Sequence, residues 1–426
     1  MAEEKLELGL NLDDYQYDAR HYPAQGHGRW IDYNYVQGID FSSRCPTWQN
    51  QDFDAYGIAG KCDIVDYLLR GKLDYASPTL KDVVFRDPMC GSCDIAGKRN
   101  LDFEFQLMLE SLRVRLVEKG YGPMPQHVAV TDCILKSGNR FGRAQSERKS
   151  WLPRDIKPQA KADTLYFAGC RAAMTDTAIS QATARIMAAA NVPFRLLDNE
   201  PCCGHFVFIT GQLAKAKKLA AENLKLIRKA GAKTVVFSCA ECYKTFKVDY
   251  PKMLGFATSE LGFEVKHITE LADQWLKEGS LKLNHPLDIK VTYHDPCNLG
   301  RMSEPWLPWA GKRGQWGVFE PPRVLRRGVH GVYEPPRNLL RAIKGLTLAE
   351  MVRHHENAFC SGADGGVPEA FPDFARWTAS ERMREAASTG AEAVVTACPG
   401  CKAAFTGAES GLKIYDITEL LVKATG

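Results

Sequence analysis

Residues 234–242 read Thr-Val-Val-Phe-Ser-Cys-Ala-Glu-Cys, an apolar, β-branched run that stops on a Cys-x-x-Cys. An apolar run without polar alternation fits a strand covered on both faces, as in a parallel sheet. Thr164-Leu-Tyr-Phe-Ala-Gly-Cys170 has the same form, and Phe194-Arg-Leu-Leu-Asp198 is a shorter strand. Asp288-Ile-Lys-Val-Thr-Tyr-His-Asp-Pro-Cys297 and Ala391-Glu-Ala-Val-Val-Thr-Ala-Cys-Pro-Gly-Cys401 repeat the strand-then-cysteine pattern. Residues 177–190, 212–230 and 370–389 read as helices between them. Strands alternating with helices predict an α/β fold with parallel sheets. The recurrence predicts two copies of one unit, 163–285 and 286–426.

Outward from the copies the texture changes. Residues 1–150 are polar, aromatic and irregular. Their clearest element is an amphipathic helix over 101–119, with Leu101, Phe105, Met108, Leu112 and Leu116 at helical spacing. A basic linker, Arg140 to Ala162, contains Pro153 and Pro158. The second copy carries an insertion at 302–345, with Trp306, Trp309 and Trp316 and a small repeat, VFEPPR (318–323) and VYEPPR (332–337). The two Pro-Pro pairs are expected to forbid regular helix or central strand there. That leaves an exposed arm that docks a partner, or a rigid loop packed on its own protein.

The whole chain has 426 residues, 45% hydrophobic and 25% charged, which are ordinary globular values. With 55 basic against 51 acidic residues, the charge is too balanced to argue for nucleic acid. No run reaches the ~18 apolar residues of a spanning helix. The first residues lack the basic-then-apolar profile of a signal peptide. Fourteen cysteines in a chain expected to be cytoplasmic point to metal or redox chemistry rather than disulfides.

The cysteines are patterned. In the first copy Cys170 is followed after 31 residues by Cys202-Cys203-Gly204, and after 34 more by Cys239-Ala-Glu-Cys242. The carboxyl ends of strands are where open α/β sheets bind ligands. Converging thiolates there are costly unless a metal neutralises them. Adjacent Cys202 and Cys203 do not easily serve one tetrahedral ion, but they can hold different irons of one cluster. A zinc site using four of the five thiols and a purely structural set of cysteines are the rival readings. In the second copy Cys297 opens the set, Cys360-Ser361-Gly362 stands at the CCG position, and Cys398-Pro-Gly-Cys401 closes it after 35 residues. Ser361 offers a hard, poorly ionising oxygen in place of a thiol. An iron–sulfur cluster, a zinc ion and an empty site all remain open there.

The spacing resembles the CCG domain of heterodisulfide reductases and related iron–sulfur proteins. The resemblance implies a pair of such domains, with a non-cubane [4Fe–4S] cluster on Cys170, Cys202, Cys203, Cys239 and Cys242. Residues 1–150 resemble that family's two-cluster ferredoxin region in degenerate form. Asp87-Pro-Met-Cys90-Gly-Ser-Cys93 and Gly97-Lys98 match the second motif, Cys45-Pro46 survives from the first, and Tyr22, Gln25 and Gly28 stand where its other ligands would be. In such ferredoxins the fourth cysteine of a run ligates the other cluster. Sorted that way, Tyr22, Gln25, Gly28 and Gly97 remove one cluster as a unit. The other keeps Cys45, Cys90 and Cys93, with Asp87 as a carboxylate ligand, and Cys62 is an alternative fourth ligand. The second copy's cluster or zinc would use Cys297, Cys360, Cys398 and Cys401.

Other residues say less. Cys133 reads as a packed thiol, His205 and His294 as surface or capping groups or as partners of cluster sulfur, and Lys98, Arg99 and Lys402 as exposed bases or offsets to cluster charge. The domain order resembles the large catalytic-type subunit of heterodisulfide reductase. The Trp- and Pro-rich insertion is similar to the related subunit of class II benzoyl-CoA reductase complexes. The resemblance implies an electron-relay subunit in an anaerobic redox complex, with a flavin/iron–sulfur subunit and a terminal reductase as partners. Two alternatives stand beside it: a direct thiol–disulfide reductase, and a zinc-bound or cluster-free scaffold.

Overall fold

The computed structural model describes residues 6–24, 41, 43–100, 102–314, 317–408 and 410–426. Leu101 and Trp316 lie outside the described residues, as does 25–30 from the stretch read as the first ferredoxin motif.

The N-terminal region begins with strand β1 (Leu6–Glu7) and is otherwise helical. Its helices include Gln16–Ala24, Pro46–Gln51, Ile58–Leu69, Pro78–Phe85, Ser92–Asn100, Phe105–Glu118 and Pro125–Ser137. The expectation of irregular structure fails here because short helices are opened by Pro46, Pro78 and Pro125, a place where the missing N–H costs nothing. The helix expected over 101–119 forms at Phe105–Glu118, but it is not one-sided. Every residue from Phe105 to Val114 is buried, because Gln106, Glu110 and Arg113 find polar partners inside the protein.

Both copies form as expected. The first supplies β2 (Thr164–Phe167), β3 (Phe194–Arg195), β4 (Thr234–Phe237) and β5 (Glu264–His267), parallel throughout, in the order β3-β2-β4-β5. The second begins with β6 (Ile289–His294). The insertion strands β7 (Ala310–Arg313) and β8 (Phe319–Glu320) follow, then β9 (Leu346–Leu348), β10 (Ala393–Thr396) and β11 (Lys413–Asp416). The order β9-β6-β10-β11 repeats that of the first copy. Phe167 pairs with Phe237 and Thr396 with His294, so the cysteine-bearing turns after these strands emerge at one level of each sheet.

The two copies meet through equivalent helices. Thr177–Ala189 packs on Ile417–Thr425, and Ile268–Glu278 packs on Glu334–Ala342. A second internal repeat marks the relation: His267-Ile-Thr-Glu270 and Asp416-Ile-Thr-Glu419 each build a capping box at the end of a strand. One apolar core runs through both sheets, and a second fills the N-terminal region.

The insertion corrects an expectation. Pro335 and Pro336 do not forbid a helix: they stand in the first turn of Glu334–Ala342, whose orphan N–H positions tolerate proline. The insertion is no free arm. β7 pairs with β1, Trp306 and Phe319 enter the N-terminal core, and Arg313 reaches buried Asp18 at 2.7 Å.

Candidate metal centres

All five cysteines of the first copy are buried at the carboxyl ends of its strands. Cys170 opens a short helix after β2, and Cys239 caps the helix after β4, so both thiols sit where backbone N–H groups favour an anion. The thiols form a string: Cys170 bonds Cys202, Cys202 bonds Cys203, Cys203 bonds Cys242, and Cys242 bonds Cys239. Hydrogen bonds from Cys202 and then Cys242 pull Cys203 down to about 6. Gly204 N–H also lies 3.4 Å from Cys202 Sγ. Gly169 has φ +75°, and a Cβ there would stand 2.9 Å from Cys242 Sγ, so only glycine leaves the thiol its room.

A charged bracket holds this site. Glu200 accepts from the N–H groups of Ala168 and Gly169 at 3.0 and 2.9 Å. It also takes the Arg148 guanidinium at 3.0 Å, and that guanidinium lies 3.9 Å from Cys170 Sγ. A buried cation beside a thiol favours the thiolate a metal needs.

The second copy keeps the closing half of the string, while Cys360 pairs with Cys90 of the N-terminal region rather than with Cys297. Ser361 Oγ donates to Cys401 Sγ at 3.1 Å, the place of the Cys203–Cys242 contact. Gly362 N–H lies 3.2 Å from Cys360 Sγ, as Gly204 does with Cys202. Cys398 caps its helix and bonds both Cys401 and, across the two copies, Cys239. These bonds, Cys239 first, hold its thiol well below the usual cysteine range. The two closing Cys-x-x-Cys motifs therefore touch each other. Cys297 is half-buried near Arg301, and desolvation pushes its thiol up.

The junction between the copies carries acid–base groups, of which the sequence reading singled out His205 but not Asp364 or Glu241. His205 Nε2 lies 2.9 Å from Asp364 Oδ2, and Nδ1 lies 3.0 Å from Thr245 Oγ1. Thr245 donates its own proton to the Glu241 carbonyl, which leaves its oxygen free to accept from Nδ1. Burial opposes a charge on the ring, and Asp364 outweighs it and raises the His205 pKa. Burial, then Cys398, lifts Glu241 to about 7. The reading of His205 and His294 as surface groups is thus corrected: both are buried, and His294 Nδ1 accepts from Arg382 at 3.1 Å. Lys98 is corrected likewise, being buried against Asp94 at 2.6 Å and Glu104 at 2.8 Å. Lys402 is half-buried and paired with Asp176 and Glu419. The side chain of Arg99 lies outside the described residues.

The N-terminal set converges as well. The Cys93 thiol is raised by burial and then by Asp87, Asp94, Cys90 and Cys45. Cys90 also bonds Cys360 of the second copy, which pulls it down to about 6. Arg301 ties the two regions together, donating to the Cys90 carbonyl at 2.7 Å and to the Ala358 carbonyl at 2.6 Å. Asp87 Oδ1 accepts from Met89 N–H at 2.7 Å, while Oδ2 takes the ammonium of buried Lys61. Cys62 is buried beside Lys61, and Cys133 is half-buried. The side chain of Tyr22 and the whole of Gln25 and Gly28 lie outside the described residues. Among the described residues no three or more Cys, His, Asp or Glu side chains close on one point as a lone ion requires.

Residues 164–247 and 316–406 match the cysteine-rich CCG domain. Over 387 residues the chain is 33% identical to a subunit of the dihydromethanophenazine:CoB–CoM heterodisulfide reductase of Methanosarcina acetivorans, covering 89% of this chain and 86% of that protein. The chain belongs to this family of heterodisulfide reductase subunits. This family member is an oxidoreductase subunit of the iron–sulfur kind with two CCG domains. It is also 29% identical, over 66% of its length and 37% of the other's, to EtfAB:quinone oxidoreductase of Syntrophomonas wolfei. With a subunit of the fumarate reductase (CoM/CoB) of Methanothermobacter marburgensis it shares 24% identity over 83% of its length and 64% of the other's. The first CCG match encloses Cys170 to Cys242, whereas the second encloses Cys360, Cys398 and Cys401 but not Cys297. No described helix is long and apolar enough to cross a membrane.

The first copy's donor set fits a multi-iron cluster better than one ion. Soft thiols are strung over several positions, N–H groups and Arg148 offset their charge, and Gly169 clears space beside Cys242.

Proposed function

We propose that the chain is an iron–sulfur electron-transfer subunit of an anaerobic redox complex. It takes electrons from a flavin/iron–sulfur partner and passes them to a terminal reductase. The observation that carries this reading is the continuous string of thiols in the first copy, joined at Cys239–Cys398 to the closing motif of the second. When bound, clusters of this kind accept and release single electrons. Cys170, Cys202, Cys203, Cys239 and Cys242 would hold a non-cubane [4Fe–4S] cluster. Cys297, Cys360, Cys398 and Cys401 would hold a second cluster, and Cys45, Asp87, Cys90 and Cys93 a ferredoxin-type one. Around them the protein supplies fixed charge. Arg148 stands against the Cys170 thiol, Arg301 binds the Cys90 carbonyl, and the buried strand ends keep water out, all of which tune a potential. The Trp- and Pro-rich insertion makes a class II benzoyl-CoA reductase our choice of terminal reductase.

One observation favours a second reading, direct cleavage of a disulfide. Glu241, poised at about 7 beside Cys398, and the His205–Asp364 pair can hold the protons that a released thiolate needs.

The test is iron, sulfide and zinc content of anaerobically purified protein, with EPR on the same sample. About eight to twelve irons per chain, at four per cluster, are expected. Cys203→Ser should remove one unusual signal and leave the others. Zinc with little iron would replace this reading by the scaffold, and heterodisulfide turnover by the isolated chain would replace relay by direct catalysis.

A further inference from the structure

Lys61 is one of the most deeply buried side chains of the protein, 1% exposed, and it lies inside the N-terminal candidate set. It projects from the first turns of the Ile58–Leu69 helix, with its N–H bonded to Gly57 O at 3.1 Å. Its ammonium bonds the Asp87 carboxylate and lies 3.4 Å from Thr47 Oγ1. Thr47 in turn donates to the Tyr56 carbonyl at 2.9 Å and lies 3.2 Å from Cys45 Sγ. One ammonium thus links Cys45 to the Asp87-Pro-Met-Cys90-Gly-Ser-Cys93 run, two segments more than a helix length apart in sequence.

A buried ammonium is costly unless paired, so its place needs a reason. Burial opposes the Lys61 charge, yet Asp87, Cys45 and Cys93 outweigh it and leave the pKa raised. The groups that act on the lysine are otherwise acidic: Asp87, Cys45 and Cys93 all lie within its electrostatic reach. Asp87 is likewise fixed. With Oδ1 on the Met89 N–H and Oδ2 on Lys61, it is held ionised and in one orientation.

We propose that Lys61 is the resident counter-cation and positioning residue of the N-terminal iron–sulfur site, holding Asp87 in place and biasing the site toward its reduced state. The inference rests on the proposed function, since it presumes iron at this site. A fixed positive charge in a low-dielectric pocket stabilises whichever state carries one more electron. Reduction here adds one electron from the donor subunit, and no bond forms or breaks.

The test uses the full chain, purified anaerobically, with an EPR-monitored redox titration. The N-terminal signal is assigned as the one lost in Cys45→Ser and Cys93→Ser but kept in Cys203→Ser. Lys61→Met and Lys61→Gln should shift its midpoint to lower potential or lose that signal with about four irons per chain. Lys61→Arg should restore both, and the first-copy signal should not move in any variant. A midpoint unchanged or raised in Lys61→Met and Lys61→Gln overturns the proposal, as does loss of the signal in Lys61→Arg as well. If neither Cys45→Ser nor Cys93→Ser removes a signal while Cys203→Ser does, the N-terminal site holds no cluster. The inference then falls with that part of the functional reading, and the CCG sites stand.

Discussion

Ser361 and Cys203 hold matching places in the two copies, and one oxygen-for-sulfur exchange separates them. Each meets the last cysteine of its own closing motif, Cys401 or Cys242. A hydroxyl stays protonated where a thiol ionises, so Ser361 remains a donor to Cys401. Away from the sulfur string, His127 shows how burial sets a residue's charge. It is fully buried between Phe85 and Phe206, and its Nε2 lies 2.8 Å from the Gly366 carbonyl. Burial brings its pKa down to about 4. The folded state then binds fewer protons than the unfolded chain between pH ~6.5 and ~4, so stability falls as pH drops through that window. At about 1.4 kcal/mol per pH unit, roughly 2 kcal/mol is lost between pH 6.5 and 5. Denaturant unfolding of His127→Gln across that range should lack this part of the acid slope.

At the scale of elements, the turn between β2 and the Cys170–Met174 helix decides whether the first site can form. Gly169 must hold a positive φ, keep clear of Cys242 Sγ, and give its N–H to Glu200. Gly169→Ala should cost on the order of 1–3 kcal/mol in backbone strain and push Cys242 away. The measurable result is loss of the non-cubane signal with the far-UV circular dichroism of the chain retained. The capping boxes at His267 and Asp416 play a comparable part, because each fixes where the strand next to a cysteine-bearing strand turns into helix.

At the scale of the whole molecule, buried arginines add to the helix packing between the copies and to the β1–β7–β8 sheet that ties the insertion to the N-terminal region. Arg113, fully buried, donates to Val84 and Asp87 in the N-terminal region, to Ile209 in the first copy and to Gly365 in the second. Arg353 joins the second copy to the Ser43 carbonyl at 2.7 Å, two residues before Cys45. Each carbonyl left without a donor costs about 1–3 kcal/mol. Arg113→Met should therefore destabilise the chain by several kcal/mol. Limited proteolysis should then cut within the N-terminal region before the CCG pair is attacked, with first-copy iron retained.

The α/β class, the parallel strands and the duplication follow from the sequence alone, because a strand covered on both faces leaves an unbroken apolar run. The cysteine spacing likewise marks the two CCG candidate sets, whose members recur after strands, while the N-terminal set lies among helices. The partnerships were not legible. Lys61 with Asp87, Arg148 with Glu200, His205 with Asp364, and Cys239 with Cys398 join residues that no local period relates. The adjacent repeat of His267 and Asp416 was readable and is the one sequence mark of how the copies face each other. The pair Pro335-Pro336 misled because proline's effect depends on its place in a helix, which only the helix start reveals, whereas Pro321-Pro322 stays outside helix and strand. Burial of Lys61, Lys98 and Arg113 depends on which chain segments cover them. Local sequence determines the elements and where the cysteines fall on them, while long-range packing decides which charges sit beside which thiols.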